Sequence, residues 1–150
     1  MKLVREKLYE DEEFKWIKSP DDKHEKILKS LEGKSVYKKL QVALQNDSVW
    51  LLKYLLDNHK DEESLNVYKI FDASVIYGKL NVANFLISSN LVDPSHHENK
   101  ALDSAIEYDD FDMIRLLIKD KRVVNKLDDE EEHMINSLFD DIGEESPFDS

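Results

Sequence analysis

The chain has 150 residues, 41% of them hydrophobic, which suits one small domain or a short repeat array and leaves no room for a second full domain. It contains no cysteine and does not begin with a basic and then apolar leader, so we expect neither disulfides nor thiolate zinc sites nor secretion. No apolar run approaches the roughly 20 residues that cross a bilayer, and we therefore expect a cytoplasmic protein that does not enter membranes.

The net charge of −12 is concentrated at the C-terminal end of the chain. Residues 128–150 contain ten acidic side chains and no lysine or arginine. Residues 1–127 hold 21 basic and 23 acidic side chains and are nearly neutral. This balance argues against direct binding of nucleic acid, because phosphate-binding surfaces are rich in lysine and arginine.

The first predicted elements are a leader and a capping helix. Residues 1–18 mix apolar and charged side chains without a single period, and we expect this leader to dock partly on the body. Ser19 and Pro20 have the order of an N-cap and a first helical residue, and Gly33 is suited to close the helix. These signals predict a capping helix over residues 20–32, at the front of a helical repeat domain that spans residues 19–142.

The middle of the chain repeats with a period of 31 residues. The apolar segments 51–56, 82–87 and 113–118 align at that offset, and so do the segments that precede them. In each preceding segment an apolar residue is followed three positions later by a small one, which is typical of a helix packed closely between neighbours. The aligned pairs are Leu40 with Ala43, Phe71 with Ser74, and Leu102 with Ala105. Each unit therefore has two helices, with turn-compatible residues between them at Asp47, Gly78 and Asp109.

This pattern predicts an all-α fold, a helix-pair solenoid of about three repeats with helical caps at both ends. We place the repeats at about residues 36–66, 67–97 and 98–128. A partial C-terminal cap at 129–142 and an acidic flexible tail at 143–150 are expected to follow. The polar stretches after the second helices contain too little apolar sequence to pack as helices, and we predict loops there. These stretches are residues 57–63, 88–99 and 120–128.

The third unit shows a family resemblance most clearly. Its leucine, small and aliphatic residues and its inter-helix turn fall at Leu102, Ala105, Ile106, Asp109, Met113, Ile114, Leu116 and Leu117. This spacing resembles that of the ankyrin repeat, and the similarity covers roughly residues 36–127. It implies stacked helix pairs that bind partners through one face. The family's Thr-Pro-Leu-His entry is replaced here by Lys-Ala-Leu-Asp at residues 100–103, and the period is slightly short, so hairpin fingers and plain loops both remain open.

No motif in the chain assembles a catalytic or metal centre. His24 begins a zinc-protease-like helix, but Leu28 stands where the second histidine ligand belongs. Residues 109–112 lack the glycine of a calcium loop and are typical of a helix N-cap region. His96 and His97 are adjacent and point in different directions, which disfavours a shared metal. The three glycines are isolated, so no phosphate-binding loop is present, and we expect no enzyme activity, cofactor or metal.

The ankyrin-like register places the partner-binding face at residues just before the first helix of each unit and near its end. Four of the six tyrosines fall in these columns, and tyrosine offers a large, stiff contact surface with a polar tip. The predicted face consists of Tyr37, Gln45, Asn46, Tyr68, Ile76, Tyr77, His96, His97, Asn99, Glu107 and Tyr108. The alternative for any one tyrosine is that it packs inside the fold and satisfies its hydroxyl locally.

These features predict a protein-interaction module, an adaptor or inhibitor that holds a host or viral protein. Residues 1–8, Met-Lys-Leu-Val-Arg-Glu-Lys-Leu, resemble the start of small proteins from large bacterial viruses. The resemblance implies a viral protein in the host-cell cytoplasm that acts on a host or viral factor, and antagonism of a host factor or defence system is one such role. A second hypothesis is that the acidic C-terminal segment mimics nucleic acid or competes for a basic protein surface. The alternative, which we favour over mimicry, is that this segment only keeps the end of the stack soluble. The oligomeric state stays open.

Overall fold

The regular structure of the described chain is helical. A computed structural model describes residues 22–148, with side chains from Glu25 onward. Within this range there are nine α-helices, one 3₁₀ helix and no strand, which confirms the all-α prediction. The α-helices are α1 Asp22–Ser30, α2 Val36–Gln45, α3 Val49–Asn58, α4 Val67–Ile76, α5 Leu80–Ser88, α6 His96–Glu107, α7 Phe111–Ile118, α8 Lys121–Val124 and α9 Asp129–Asp141. The predicted leader, the predicted N-cap at Ser19 and Pro20, and residues 149–150 lie outside the described residues.

The helices recur with the spacing that the sequence predicts. The first helices of the three repeats end at Gln45, Ile76 and Glu107, and the second helices begin at Val49, Leu80 and Phe111. Both sets are spaced by 31 residues. The three small residues of the first helices, Ala43, Ser74 and Ala105, are fully buried. The helix-pair repeat is therefore a property of the local structure as well as of the sequence.

The turn between the two helices of a repeat has the same hydrogen bonds in all three repeats. Its central residues adopt left-handed backbone angles, with φ of 49° at Asp47, 68° at Gly78 and 52° at Asp109. The next backbone N–H returns to the small residue of the first helix, as in Ser48 to Ala43 at 2.8 Å. The equivalent bonds are Lys79 to Ser74 at 2.7 Å and Asp110 to Ala105 at 2.9 Å. This is the Schellman ending of a helix, and it fixes where each second helix begins.

The second helices of the first and third repeats begin with a side-chain cap. The Ser48 side chain accepts a hydrogen bond from the backbone N–H of Leu51, and the Asp110 carboxylate accepts one from Met113. These bonds satisfy backbone donors that the first helical turn leaves without partners. The interpretation of residues 109–112 as an N-cap region is confirmed.

The chain divides into two units between Asn66 and Val67. In the described part of the first unit, α2 packs against α3 and against the 3₁₀ helix Glu63–Leu65. Its buried apolar side chains include Leu40, Leu51, Leu52 and Leu55, which belong to the stripe that the period predicts. Burial of these aliphatic side chains holds the helix pair together.

The second unit contains two complete helix pairs, and each helix packs on its counterpart in the other pair. Contacts join α4 with α5 and α6 with α7 within the pairs, and α4 with α6 and α5 with α7 between them. The buried residues between these helices include Phe71, Val82, Leu86, Leu102 and Ile114. In a helical repeat, the first helices of neighbouring pairs are expected to pack on each other, and so are the second helices.

Residues 120–128, predicted as a loop, contain the short helix α8, Lys121–Val124. The Asp120 side chain caps it by accepting a hydrogen bond of 2.9 Å from the backbone N–H of Arg122, and Val123 is fully buried. α8 also packs against α7. The prediction of a loop is wrong here because a cap and one buried valine stabilise a helix too short to produce a periodic signal.

The C-terminal segment belongs to the second unit and contacts α7. α9 begins with a capping box formed by Asp128 and Glu131, and its Phe139 ring meets Phe111 of α7 edge to face, with ring centroids 5.2 Å apart. Pro147 is buried. In the segment predicted as an acidic tail, Glu144 accepts a hydrogen bond from Arg115 of α7, and the Ser146 hydroxyl donates one to the Asn136 side chain of α9.

Candidate protein-binding surface

The second unit exposes two tyrosines at equivalent positions of its repeats. Tyr77 follows the last residue of α4 and is 71% exposed, and Tyr108 follows the last residue of α6 and is 58% exposed. Each stands directly before the left-handed residue of the turn, Gly78 or Asp109. Because α4 packs on α6, the two ends belong to neighbouring helices. With the exposed side chains of Ile76 and Glu107, they form what we call the tyrosine surface.

The first unit carries the corresponding residues of its own repeat. Tyr37, in the first turn of α2, is 60% exposed. Gln45 and Asn46 at the other end of α2 are exposed as well. The Asn46 amide donates a hydrogen bond of 2.8 Å to the carbonyl oxygen of Val42, so part of its hydrogen-bonding capacity is used to close the helix. All three predicted residues lie on the surface of the first unit.

Tyr68 is placed differently from the other tyrosines of the predicted face. It is half-buried, and its hydroxyl oxygen accepts a hydrogen bond of 3.0 Å from the backbone N–H of Asp93. Its ring lies against the His96 ring, with centroids 4.3 Å apart. Tyr68 thus follows the alternative in which a tyrosine packs within the fold and satisfies its hydroxyl locally. We therefore exclude it from the tyrosine surface.

The first turn of α6 contains three successive left-handed residues, and the right-handed helix follows them. His97, Glu98 and Asn99 have φ of 52°, 54° and 60°, a conformation that residues with a β-carbon rarely adopt in series. Asn99 is 3% exposed, and its amide donates a hydrogen bond of 3.0 Å to the carbonyl oxygen of Val123. Its assignment to an exposed binding column is therefore corrected, because the left-handed turn directs this side chain inward.

The two histidines of this turn separate into a packed and an exposed residue. His96 is half-buried, and its Nε2 lies 3.5 Å from the Oδ1 of Asp72. The other carboxylate oxygen of Asp72 lies 3.6 Å from the Nζ of Lys100. His97 is exposed, and its ring centroid is 4.2 Å from that of His96. Of the pair, His97 alone presents an exposed ring to a partner.

A cluster of charges that sequence reasoning missed anchors the turn to α8. Arg122 donates to both carboxylate oxygens of Asp120, at 3.0 and 2.9 Å, and lies 3.9 Å from the Asp93 carboxylate. The hydrogen bond from Arg122 lowers the pKa of Asp120. A hydrogen bond from the Ser95 hydroxyl lowers the pKa of Asp93. Lys126 adds a hydrogen bond of 3.0 Å to the carbonyl oxygen of Ser95. The contacts that join the turn to α8 link residues far apart in sequence, Arg122 with Asp93 and Lys126 with Ser95, so no local pattern signals them.

Arg115 forms an ion pair with one carboxylate of the C-terminal segment. Its guanidinium donates to the Oε2 of Glu144 at 3.2 Å and to the carbonyl oxygen of Glu145 at 3.1 Å, and it lies 4.7 Å from the centroid of the Phe139 ring. The Glu131 carboxylate closes the capping box of α9. These carboxylates already serve the fold, which leaves fewer of them for a nucleic-acid mimic.

Within residues 22–148, the structure contains no group of three or more histidine, aspartate or glutamate side chains placed to hold a metal ion. A cavity of about 320 Å³ near the C-terminal segment has one lysine and one glutamate in an otherwise apolar lining. Its lining residues are Ile118, Lys119, Val124, Glu132, Pro147 and Phe148. No helix in the described range is both long and apolar enough to span a membrane.

Comparisons with protein-family models, with curated proteins and with solved structures found no match for this chain. Its described residues form an all-helical structure built from helix-pair repeats, and two of these pairs pack on each other in the second unit.

Proposed function

We propose that the chain is a divergent ankyrin-type repeat protein that binds a protein partner through the tyrosine surface of its second unit. The observation that carries the proposal is the exposure of Tyr77 and Tyr108 at equivalent ends of two packed helices. Large aromatic rings held in the open by a rigid helix end lose little conformational freedom on binding, which is why tyrosine is common in binding hot spots.

The ankyrin assignment is supported by how the repeat is built. Each repeat has a first helix with a buried small residue, a left-handed turn, and a second helix with the bulkier core. The first helices expose their C-terminal ends, where the ankyrin-like register expects a binding face. The departures at the helix entries, together with the left-handed turn at His97–Asn99, make this a divergent form of the repeat.

Within this proposal the protein acts as an adaptor or inhibitor. A surface built from helix ends offers shape and side chains for recognition, and function in such folds depends on the site that the fold presents. The more particular role, a viral protein that antagonises a host factor in the cytoplasm, is supported by the resemblance of residues 1–8 alone, and these lie outside the described range.

The experiment is affinity capture from bacterial extract with quantitative mass spectrometry, followed by measurement of Kd with the purified partner. The test variant is Tyr77→Ala/Tyr108→Ala, and the control is Leu91→Ala/Met134→Ala, which removes two exposed apolar side chains outside the tyrosine surface. We expect the test variant to weaken binding by about a hundredfold and the control to bind as the unaltered chain does. Equal binding by the test variant would reject the proposal.

A further inference from the structure

The helix end beside Tyr108 carries a concentration of negative charge that its counterpart beside Tyr77 does not. Residues 103–112 contain five carboxylates and no lysine, arginine or histidine. The equivalent residues 72–81 contain one carboxylate, Asp72, and one lysine, Lys79. Four of the five carboxylates are exposed, and the fifth, Asp110, caps α7. The tyrosine surface is therefore acidic on the α6 side.

Two of these carboxylates stand where they oppose the stability of their own helix. Asp103 and Glu107 are four residues apart on α6, so they face the same side of the helix and repel each other. Glu107 is also the last residue of α6, where the helix dipole is negative and a cation would be favourable. The last turn of α6 contains no basic residue. Asp103 and Glu107 therefore do not stabilise α6.

Neither Asp103 nor Glu107 forms an ion pair within the described part of the chain, and Lys100, three residues before Asp103, pairs with Asp72 instead. Asp72, the counterpart of Asp103 on α4, differs in this respect because it lies within 3.6 Å of the Lys100 Nζ and 3.5 Å of the His96 Nε2. The charge beside Tyr108 is thus exposed and available to an external cation.

On the basis of the proposed function, we infer that the partner presents a basic, arginine-bearing segment to the tyrosine surface. A guanidinium can lie over the exposed Tyr108 ring and donate hydrogen bonds to the Glu107 carboxylate beside it. The same cation relieves the repulsion between Asp103 and Glu107. An acidic protein segment or a nucleic acid would add negative charge to a surface that already repels it.

The test starts from a displayed library of random twelve-residue peptides selected on the full chain. Selected peptides are synthesised, and their Kd is measured by fluorescence anisotropy at low and high salt. Asp103→Asn/Glu107→Gln is the test variant, and Glu130→Gln/Asp140→Asn on α9 is the control, because it changes two exposed carboxylates and the net charge by the same amount.

We expect the selected peptides to be enriched in arginine and lysine and to need Tyr77 and Tyr108. The test variant should weaken their binding at least about tenfold at low salt, and the control should change it by less than about twofold. The melting temperature of the test variant should not fall, because the substitutions remove a repulsion.

Three results would overturn the inference. Peptides that need both tyrosines but carry no excess of basic residues would remove the basic partner and leave the proposed function standing. Equal weakening by test and control variants would assign the effect to net charge alone. Concentration-dependent dimerisation that Tyr77→Ala/Tyr108→Ala abolishes would identify a second copy of the chain as the occupant. Failure to select any tyrosine-dependent peptide would count against the proposed function itself.

Discussion

The backbone N–H of Asp93 donates a hydrogen bond of 3.0 Å to the hydroxyl oxygen of Tyr68, 25 residues earlier in the chain. The bond ties the loop after α5 to the first turn of α4, and the Tyr68 ring lies against His96 at the start of α6. One tyrosine thus connects three successive elements of the second unit. This role in the fold separates Tyr68 from Tyr77 and Tyr108, which project from helix ends.

We predict that Tyr68→Phe lowers the free energy of unfolding by about 1–2 kcal/mol, because the Asp93 N–H loses its partner while the ring remains. Partner binding should be unchanged. Chemical denaturation measures the effect, and Tyr37→Phe is the control, since the Tyr37 side chain is largely exposed. A Tyr68→Phe chain as stable as the unaltered one would show that the hydrogen bond contributes nothing.

The left-handed turns predict that removing a glycine lowers stability and that introducing one raises it. Gly78→Ala should lower the free energy of unfolding by about 1 kcal/mol, because φ of 68° is unfavourable for a residue with a β-carbon. The new β-carbon would also lie 3.3 Å from the Oδ2 of Asp110. Asp109→Gly, at the equivalent position, should raise stability by a few tenths of a kcal/mol, since it relieves the same strain. Urea denaturation distinguishes them, and a shift of both variants in one direction would contradict this reading of the turn.

Two substitutions at Asn99 separate its backbone and side-chain contributions. Asn99→Gly accepts the left-handed conformation but loses the hydrogen bond to the Val123 carbonyl oxygen, and should cost about 1–2 kcal/mol. Asn99→Ala loses the bond and also strains the backbone, and should cost about 1 kcal/mol more. Thermal unfolding of the two variants provides the comparison. A less stable glycine variant would be inconsistent with the φ of 60° at this residue.

The lowered pKa values of Asp93 and Asp120 predict how stability depends on acid. Because folding favours the charged forms, their contribution is complete above the ordinary carboxyl pKa of about 4 and is lost as the pH falls through the lower folded values. Asp120→Asn should therefore reduce the slope of unfolding free energy against pH below about pH 4. Measurement of that slope by chemical denaturation in buffers of decreasing pH tests this, and an unaltered slope would mean that Asp120 titrates alike in the folded and unfolded chain.

The repeat could be predicted because its signal is local. The buried residues Ala43, Ser74 and Ala105 and the turn residues between the helices recur at a fixed spacing, so the helix pairs follow from the pattern. Exposure of Tyr77 and Tyr108 also follows, because both stand at the ends of predicted helices. These features need no knowledge of distant contacts.

The remaining features depend on contacts between residues far apart in sequence. The partners of Tyr68 and Asn99 lie 25 and 24 residues away, and neither bond leaves a periodic trace. Helix α8 depends on the Asp120 cap and on burial of Val123, so a polar composition alone wrongly predicts a loop. Three consecutive left-handed residues are also outside any propensity rule, because only the surrounding packing can hold them.

The most direct test of the tyrosine surface is photo-crosslinking. A benzoylphenylalanine in place of Tyr77 or Tyr108, and at Met134 as an exposed control, reports which surface touches a protein partner in cell extract. The account predicts the same crosslinked partner from positions 77 and 108 and none from 134. A partner captured from position 134 alone, with both tyrosine positions silent, would contradict it.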